Sequence, residues 1–144
     1  AVACLAARAH SKHEIEQKLL RGGYRPCTVE MVLYKLEREH LLNDADFARQ
    51  WVEARSGRKL GRSRIAQELR RKGIDADEAE EALSAIGEDA QLADAIALAE
   101  KTAARAKSDE DPRKTYQRIA AMLARRGFRW DITKEALAQV LQAD

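Results

Sequence analysis

Aromatic residues are scarce in this chain. Two Phe, two Trp and three Tyr make up 5% of its 144 residues. Few large side chains are therefore on hand to anchor one broad globular core. Two prolines and seven glycines leave little to interrupt a helix. No stretch of about 18 apolar residues occurs, which excludes an apolar membrane-spanning helix. The apolar start, Ala1 to Ala9, is short and no signal-peptide cleavage pattern follows it. The chain also starts without Met, and so reads as a fragment whose upstream part is missing. Two cysteines, Cys4 and Cys27, make no disulfide framework and fit a reducing, cytoplasmic compartment. Sustained period-2 alternation of β-branched residues is absent as well, so no sheet is expected.

What the chain does have is Ala, Leu, Glu, Arg and Lys, with 35% of residues charged. It also has an internal repeat. The pattern Ile-x3-Leu-x3-Gly-apolar occurs three times: Ile15, Leu19, Gly23, Tyr24; Ile65, Leu69, Gly73, Ile74; Ile119, Leu123, Gly127, Phe128. An apolar ladder follows each Gly at one spacing: Val32, Leu33, Leu36; Ala82, Leu83, Ile86; Ala136, Leu137, Val140. Such a period marks one supersecondary unit repeated in tandem. The expected fold is all-α, with three tandem three-helix repeats forming an elongated, curved array. The repeats span 1–43, 44–88 and 89–144, and the nine helices cover roughly 1–10, 11–22, 27–39, 44–56, 62–72, 76–86, 89–106, 112–126 and 131–142.

Local signals agree with that layout. Ser11-x-x-Glu14 is a capping box, Asp75-x-x-Glu78 a looser one, and Asp111-Pro112 an N-cap acid before a first-turn proline. Asn43 or Asp44 caps the helix that carries Phe47 and Trp51. Gly23, Gly73 and Gly127 follow basic residues and read as left-handed C-terminal caps, with Tyr24, Ile74 and Phe128 folding back onto the helix. Lys107 to Pro112 is the clearest connector, and it is where the four extra residues of the third repeat are expected.

Charge is segregated along the chain. Residues 55–72 carry Arg55, Arg58, Lys59, Arg62, Arg64, Arg70, Arg71 and Lys72 against a single acid, Glu68. Residues 113–129 carry Arg113, Lys114, Arg118, Arg125, Arg126 and Arg129 and no acid. Between them, residues 75–89 are acidic without a basic residue. The basic segments are candidate contacts to DNA or to an anionic partner. The run from Arg58 to Arg64, with its Gly and Ser, is read as a loop offering backbone N–H groups and guanidinium forks to phosphate. Asp77, Glu80 and Glu81 lie on the polar side of their helix. They form either a solvated face or an acidic surface for a basic partner.

Catalysis has little support. No phosphate-binding glycine loop, nucleophile elbow or His-Glu-x-x-His motif is present. His10, His13, His40 and Cys4 do not make a ligand set, so no metal or cofactor is expected. Cys27, placed in the turn before a helix, reads as a structural thiol. Trp51, with Phe47 and Val52 at helical spacing, reads as core and less as a base-stacking platform.

One run carries a resemblance: Leu41-Leu42-Asn43-Asp44, Phe47-Ala48, Trp51-Val52, Arg55, Gly61, Arg64-Ile65, Glu68-Leu69 and Lys72-Gly73-Ile74. With Ser11 to Ile15, Lys18 to Leu20 and Gly23-Tyr24, it resembles the RecX family of bacterial regulators of the RecA recombinase. The third repeat leans more on the internal period than on the family pattern. The resemblance implies tandem three-helix modules without catalytic residues that bind in the groove of the RecA–DNA filament. It implies inhibition of strand exchange, ATP hydrolysis and the coprotease activity that cleaves the LexA repressor, and so modulation of DNA repair and the SOS response. It also implies binding to DNA, single strands included. The expected protein is a monomer in the cytoplasm, with no membrane partner. Two other readings stand beside it: a stand-alone helical DNA-binding module without sequence specificity, and a protein-only helical-repeat scaffold.

Overall fold

Side chains that can accept an orphan N–H mark several helix starts. Ser11, Asn43 and Asp111 each accept a backbone N–H one turn in, and Ser11 and Glu14 complete a reciprocal capping box. A computed structural model describes residues 1, 2, 5 and 8–141. Eight helices follow in order: α1 Lys12–Arg21, α2 Pro26–Arg38, α3 Asp44–Gly57, α4 Arg62–Arg71, α5 Ala76–Leu83, α6 Glu88–Ala104, α7 Pro112–Arg125 and α8 Trp130–Leu141. There is no strand among the described residues. The helix expected over 1–10, like Cys4, lies largely outside them.

The repeat signature does what its spacing requires. Gly23, Gly73 and Gly127 take φ of 89°, 76° and 92°, the left-handed turn that ends α1, α4 and α7. Ile15, Ile65 and Ile119 are buried, as are Leu69 and Leu123. Each of these contributes roughly 1.5–3 kcal/mol by leaving water. Three separate apolar clusters result. One is built on Ile15, Val29, Leu33, Leu36 and Leu42. The second joins Phe47, Val52 and Leu60 to Ile65, Leu69, Ile74 and Leu83. The third gathers Ala95, Ala99, Ile119, Leu123, Phe128 and Leu137. Among the described residues, no cluster crosses from one module to the next. The exposed area, 9679 Å², exceeds the roughly 7,500 Å² of a compact globule of this mass. The molecule is thus an elongated array of modules.

Four expectations need correction. Asp75 makes no side-chain cap bond, although its backbone angles are close to those of Asp111, which does cap its helix. α5 stops at Leu83, and Ala85 and Ile86 are held by tighter turn bonds to Ala82 and Leu83. Tyr24 turns back over the end of α1 beside Gly22 but stays 57% exposed, where Ile74 and Phe128 are buried. The extra length of the third repeat is not confined to the connector, although 105–111 is longer than the equivalent 58–61. α7 has 14 residues where α1 and α4 have 10, so the middle helix of the third module gains one helical turn before Ile119.

Candidate functional site

The modules meet through the ends of their middle helices. Ser11, the N-cap of α1, donates its hydroxyl to the carbonyl of Lys72, the C-cap of α4, at 2.7 Å. Gly61, the N-cap of α4, donates its N–H to the carbonyl of Arg126, the C-cap of α7, at 2.7 Å. The N–H of Ser63 adds a bond to Gly127 at 3.1 Å. The carbonyls that each helix leaves orphaned are thereby met by the donor end of the helix before it.

Long cations reinforce both joints. Lys72 reaches Glu14 at 3.2 Å across the first. Arg126 spans the second and donates to the carbonyls of Arg58 and Lys59. Arg62 donates to the Leu83 carbonyl, and its own N–H goes to Gln91. The loop before α4 therefore does not hold free N–H groups for phosphate, as its composition suggested. The donors of Gly61, Arg62 and Ser63 dock the third module instead.

Arg55 is also occupied. It grips Glu68 with two bonds of 2.9 and 2.7 Å, and both groups are largely buried. Trp51 stacks on Phe47 with ring centroids 5.9 Å apart and donates to Glu68. Arg55 and Lys72 stand over its ring at 5.6 and 5.1 Å. Trp51 is a partly buried packing residue, as its neighbours predicted.

Beside the second joint lies a polar groove of about 330 Å³ lined by Ser63, Arg64, Gln67, Arg71 and Arg125, with Glu68 at its floor. It unites Ala124, Arg125 and Gly127 of the third module with a row of polar side chains along α4. Arg64 donates to the carbonyl of Arg125 at 3.2 Å. Arg71 and Arg125 are exposed and make no ion pair within 4 Å among the described residues. Since Glu68 is already neutralised by Arg55, the groove is net cationic. Arg58, Lys59 and Arg70 are exposed on the same module, and Arg113 and Lys114 on the first turn of α7. Arg118 is drawn into a pair with Glu110.

The other joint has the opposite charge. A groove of about 530 Å³ is lined by Glu37, Asp44, Asp75 and Glu78 with Lys12 and His40. Burial holds the Asp44 carboxyl above the ordinary aspartate range, against the pull of Lys12. Burial and the neighbouring Asp44, Asp75, Glu37 and Glu81 carboxylates do the same to Glu78. Asp77, Glu80 and Glu81 stand in solvent on α5, while Ala79, Ala82, Leu83 and Ile86 face the core.

Two surface features escaped the sequence reading. Trp130 is 60% and Tyr116 40% exposed on the third module. Trp130 stands at the first residue of α8, where the equivalent helices carry Pro26 and Ala76, so it lies off the apolar ladder. Cys27 is inside α2 and exposed, not in a turn and not structural. Among the described residues, no three His, Cys, Asp or Glu lie close enough to hold a metal ion. No helix described is long and apolar enough to cross a membrane.

Fold and joints define a tandem three-helix-repeat protein with a cationic groove between its second and third units. Family models for the first, second and third three-helix domains of RecX match residues 1–36, 43–83 and 89–137. A regulatory protein RecX of Mycobacteroides abscessus is 38% identical, over 93% of this chain and 68% of its own length. That of Chlorobium limicola is 34% identical over 99% and 87%. The crystal structure of RecX from Lactobacillus salivarius superposes with a TM-score of 0.88 at 27% identity, covering 98% of this chain and 92% of that one. The chain belongs to the RecX family of regulatory proteins.

Proposed function

We propose that this protein is a non-enzymatic regulator of the RecA recombinase that binds the RecA–DNA filament in the cytoplasm. It acts by occupying surface that strand exchange, ATP turnover and coprotease action need, and so restrains recombinational repair and the SOS response. The single observation that carries the residue assignment is the joint groove, where Arg64, Arg71 and Arg125 converge from two modules. Phosphate suits these three because guanidinium groups offer forked donors and keep their charge. Arg58, Lys59, Arg70, Arg113 and Lys114 extend the positive surface along the array. Its elongated shape suits a partner built of repeated subunits.

A RecA ATPase assay on single-stranded DNA tests this reading. Wild-type protein is expected to inhibit, and the variant Arg64→Glu, Arg71→Glu, Arg125→Glu to need a much higher concentration, with its helicity unchanged. Equal inhibition by the two would remove the groove from the mechanism. Co-sedimentation with filaments and with bare DNA separates this reading from a stand-alone DNA-binding module, which the same groove would also suit. Binding to bare DNA alone favours the module.

A further inference from the structure

The repeat supplies its own control for what the third helix of a module puts at its surface. Three positions, four, eight and eleven residues after the turn glycine, are exposed in every module. In the second module they are Asp77, Glu81 and Ser84. In the third they are Asp131, Glu135 and Ala138. In the first they are Cys27, Met31 and Tyr34. Met31 is 73% and Tyr34 63% exposed. At 100° per residue these three positions share one side of α2. Each set follows the same left-handed glycine turn, with Ser84 at the C-cap of the shorter α5, and in the second and third modules acids or small residues meet water there. The first module instead spends a Met and a Tyr on water, a pair suited to adaptable protein contacts.

The surroundings say what kind of partner fits. Tyr34 borders a groove of about 560 Å³ between α1 and α2, floored by Leu20, Val29 and Leu33. Its rim carries Glu16, Glu30 and Glu37, with Lys12 already paired to Glu37 at 2.7 Å. An acidic rim repels nucleic-acid phosphate and anionic lipid. It also opposes a symmetric pairing with a second copy, which would set the same carboxylates against each other. What it accepts is a protein segment with an apolar side chain flanked by Lys or Arg.

We propose that this face of the first module is a protein-docking surface for such an apolar and basic segment of the recombinase, separate from the cationic groove of the second and third modules. The inference rests on the filament-binding reading above. It divides the molecule into a protein-reading end and a phosphate-reading end.

The test is co-sedimentation with RecA filaments on single-stranded DNA, using the variant Met31→Glu, Tyr34→Ser. Both replacements are what the second module carries at the same positions, so the fold is expected to tolerate them, and a thermal melt checks this. The variant is expected to lose filament affinity by at least about tenfold and to keep wild-type affinity for bare DNA. A second readout needs no surface variant. In a Cys4→Ser protein, alkylation of Cys27 is expected to slow sharply when filaments are present. Wild-type affinity in the variant, or undiminished Cys27 alkylation, would overturn the docking surface while leaving the regulatory reading intact. Absence of filament binding by the wild-type protein would sink both. A dimer that the variant abolishes would reassign the face to self-association.

Discussion

A methyl group on Gly61 would land on the backbone of Gly127 and Phe128. Gly61 has φ of −76°, which any residue adopts, so its lack of a side chain serves close approach and not backbone conformation. Gly23 is the reverse case: its φ of 89° is left-handed, yet nothing stands within 4 Å of a Cβ there. Gly127 and Gly73 combine both constraints, since a side chain would strike Arg64 in one and His13 in the other. These differences give two substitutions different causes and different places of effect. Gly23→Ala is expected to cost about 1–2 kcal/mol, from the left-handed turn alone. Gly61→Ala is expected to cost about 1–3 kcal/mol as an overpacked contact, and to do so by parting the second and third modules. Hydrogen exchange distinguishes them. Protection of the amides at 61 and 63 is expected to fall in Gly61→Ala and to stay in Gly23→Ala. Unchanged protection at both amides in Gly61→Ala would contradict this account of the joint.

Helix α1 carries a titratable device at its first turn. Burial pushes Glu14 up, but the Ser11 N–H, Arg8 and Lys72 together bring its carboxyl below the ordinary glutamate range. A depressed folded pKa gives stability that is present above the unfolded value, about 4.3. That stability is lost as pH falls through the folded value. Asp44 and Glu78 have raised values, so acidification toward the ordinary carboxylate range favours the fold at those two positions. Wild-type stability is therefore expected to hold or rise slightly on mild acidification and to fall below about pH 4.3. Glu14→Gln is expected to be less stable at neutral pH and to lack that acid-side fall. Parallel denaturation curves for the two proteins across this range would refute the role of Glu14. The helices themselves were readable from sequence because caps, apolar period and turn glycines are all local. Ser11, Asn43 and Asp111 each act where their side chains predicted. The joints were not readable, because Ser11 with Lys72 and Gly61 with Arg126 pair residues more than sixty positions apart. Arg55, Arg62, Lys72 and Arg126 likewise looked like free surface charge, when tertiary folding brings them acids and carbonyls from 13 to 68 positions away.

Over the whole molecule, three small cores are joined by polar helix ends, and charge differs from joint to joint. The first joint is lined by carboxylates and the second by guanidinium groups. The formal net charge of +2 conceals this separation. A long-range cationic field is therefore local to the second and third modules, and its effect on binding is set by counterion release more than by total charge. Each phosphate contact to a single strand contributes about 0.7 to the slope of log K against log salt. Arg71 and Arg125 are exposed and have no ion-pair partner among the described residues, so each is available for one contact. Arg71→Gln with Arg125→Gln is expected to lower that slope by about 1.4 on single-stranded DNA. Arg55→Gln is expected to leave the slope unchanged and to lower thermal stability, because it strips Glu68 of its bidentate partner. Titrations of labelled oligonucleotide at several salt concentrations measure both. A slope altered by Arg55→Gln and untouched by the groove pair would move the phosphate surface away from the second joint.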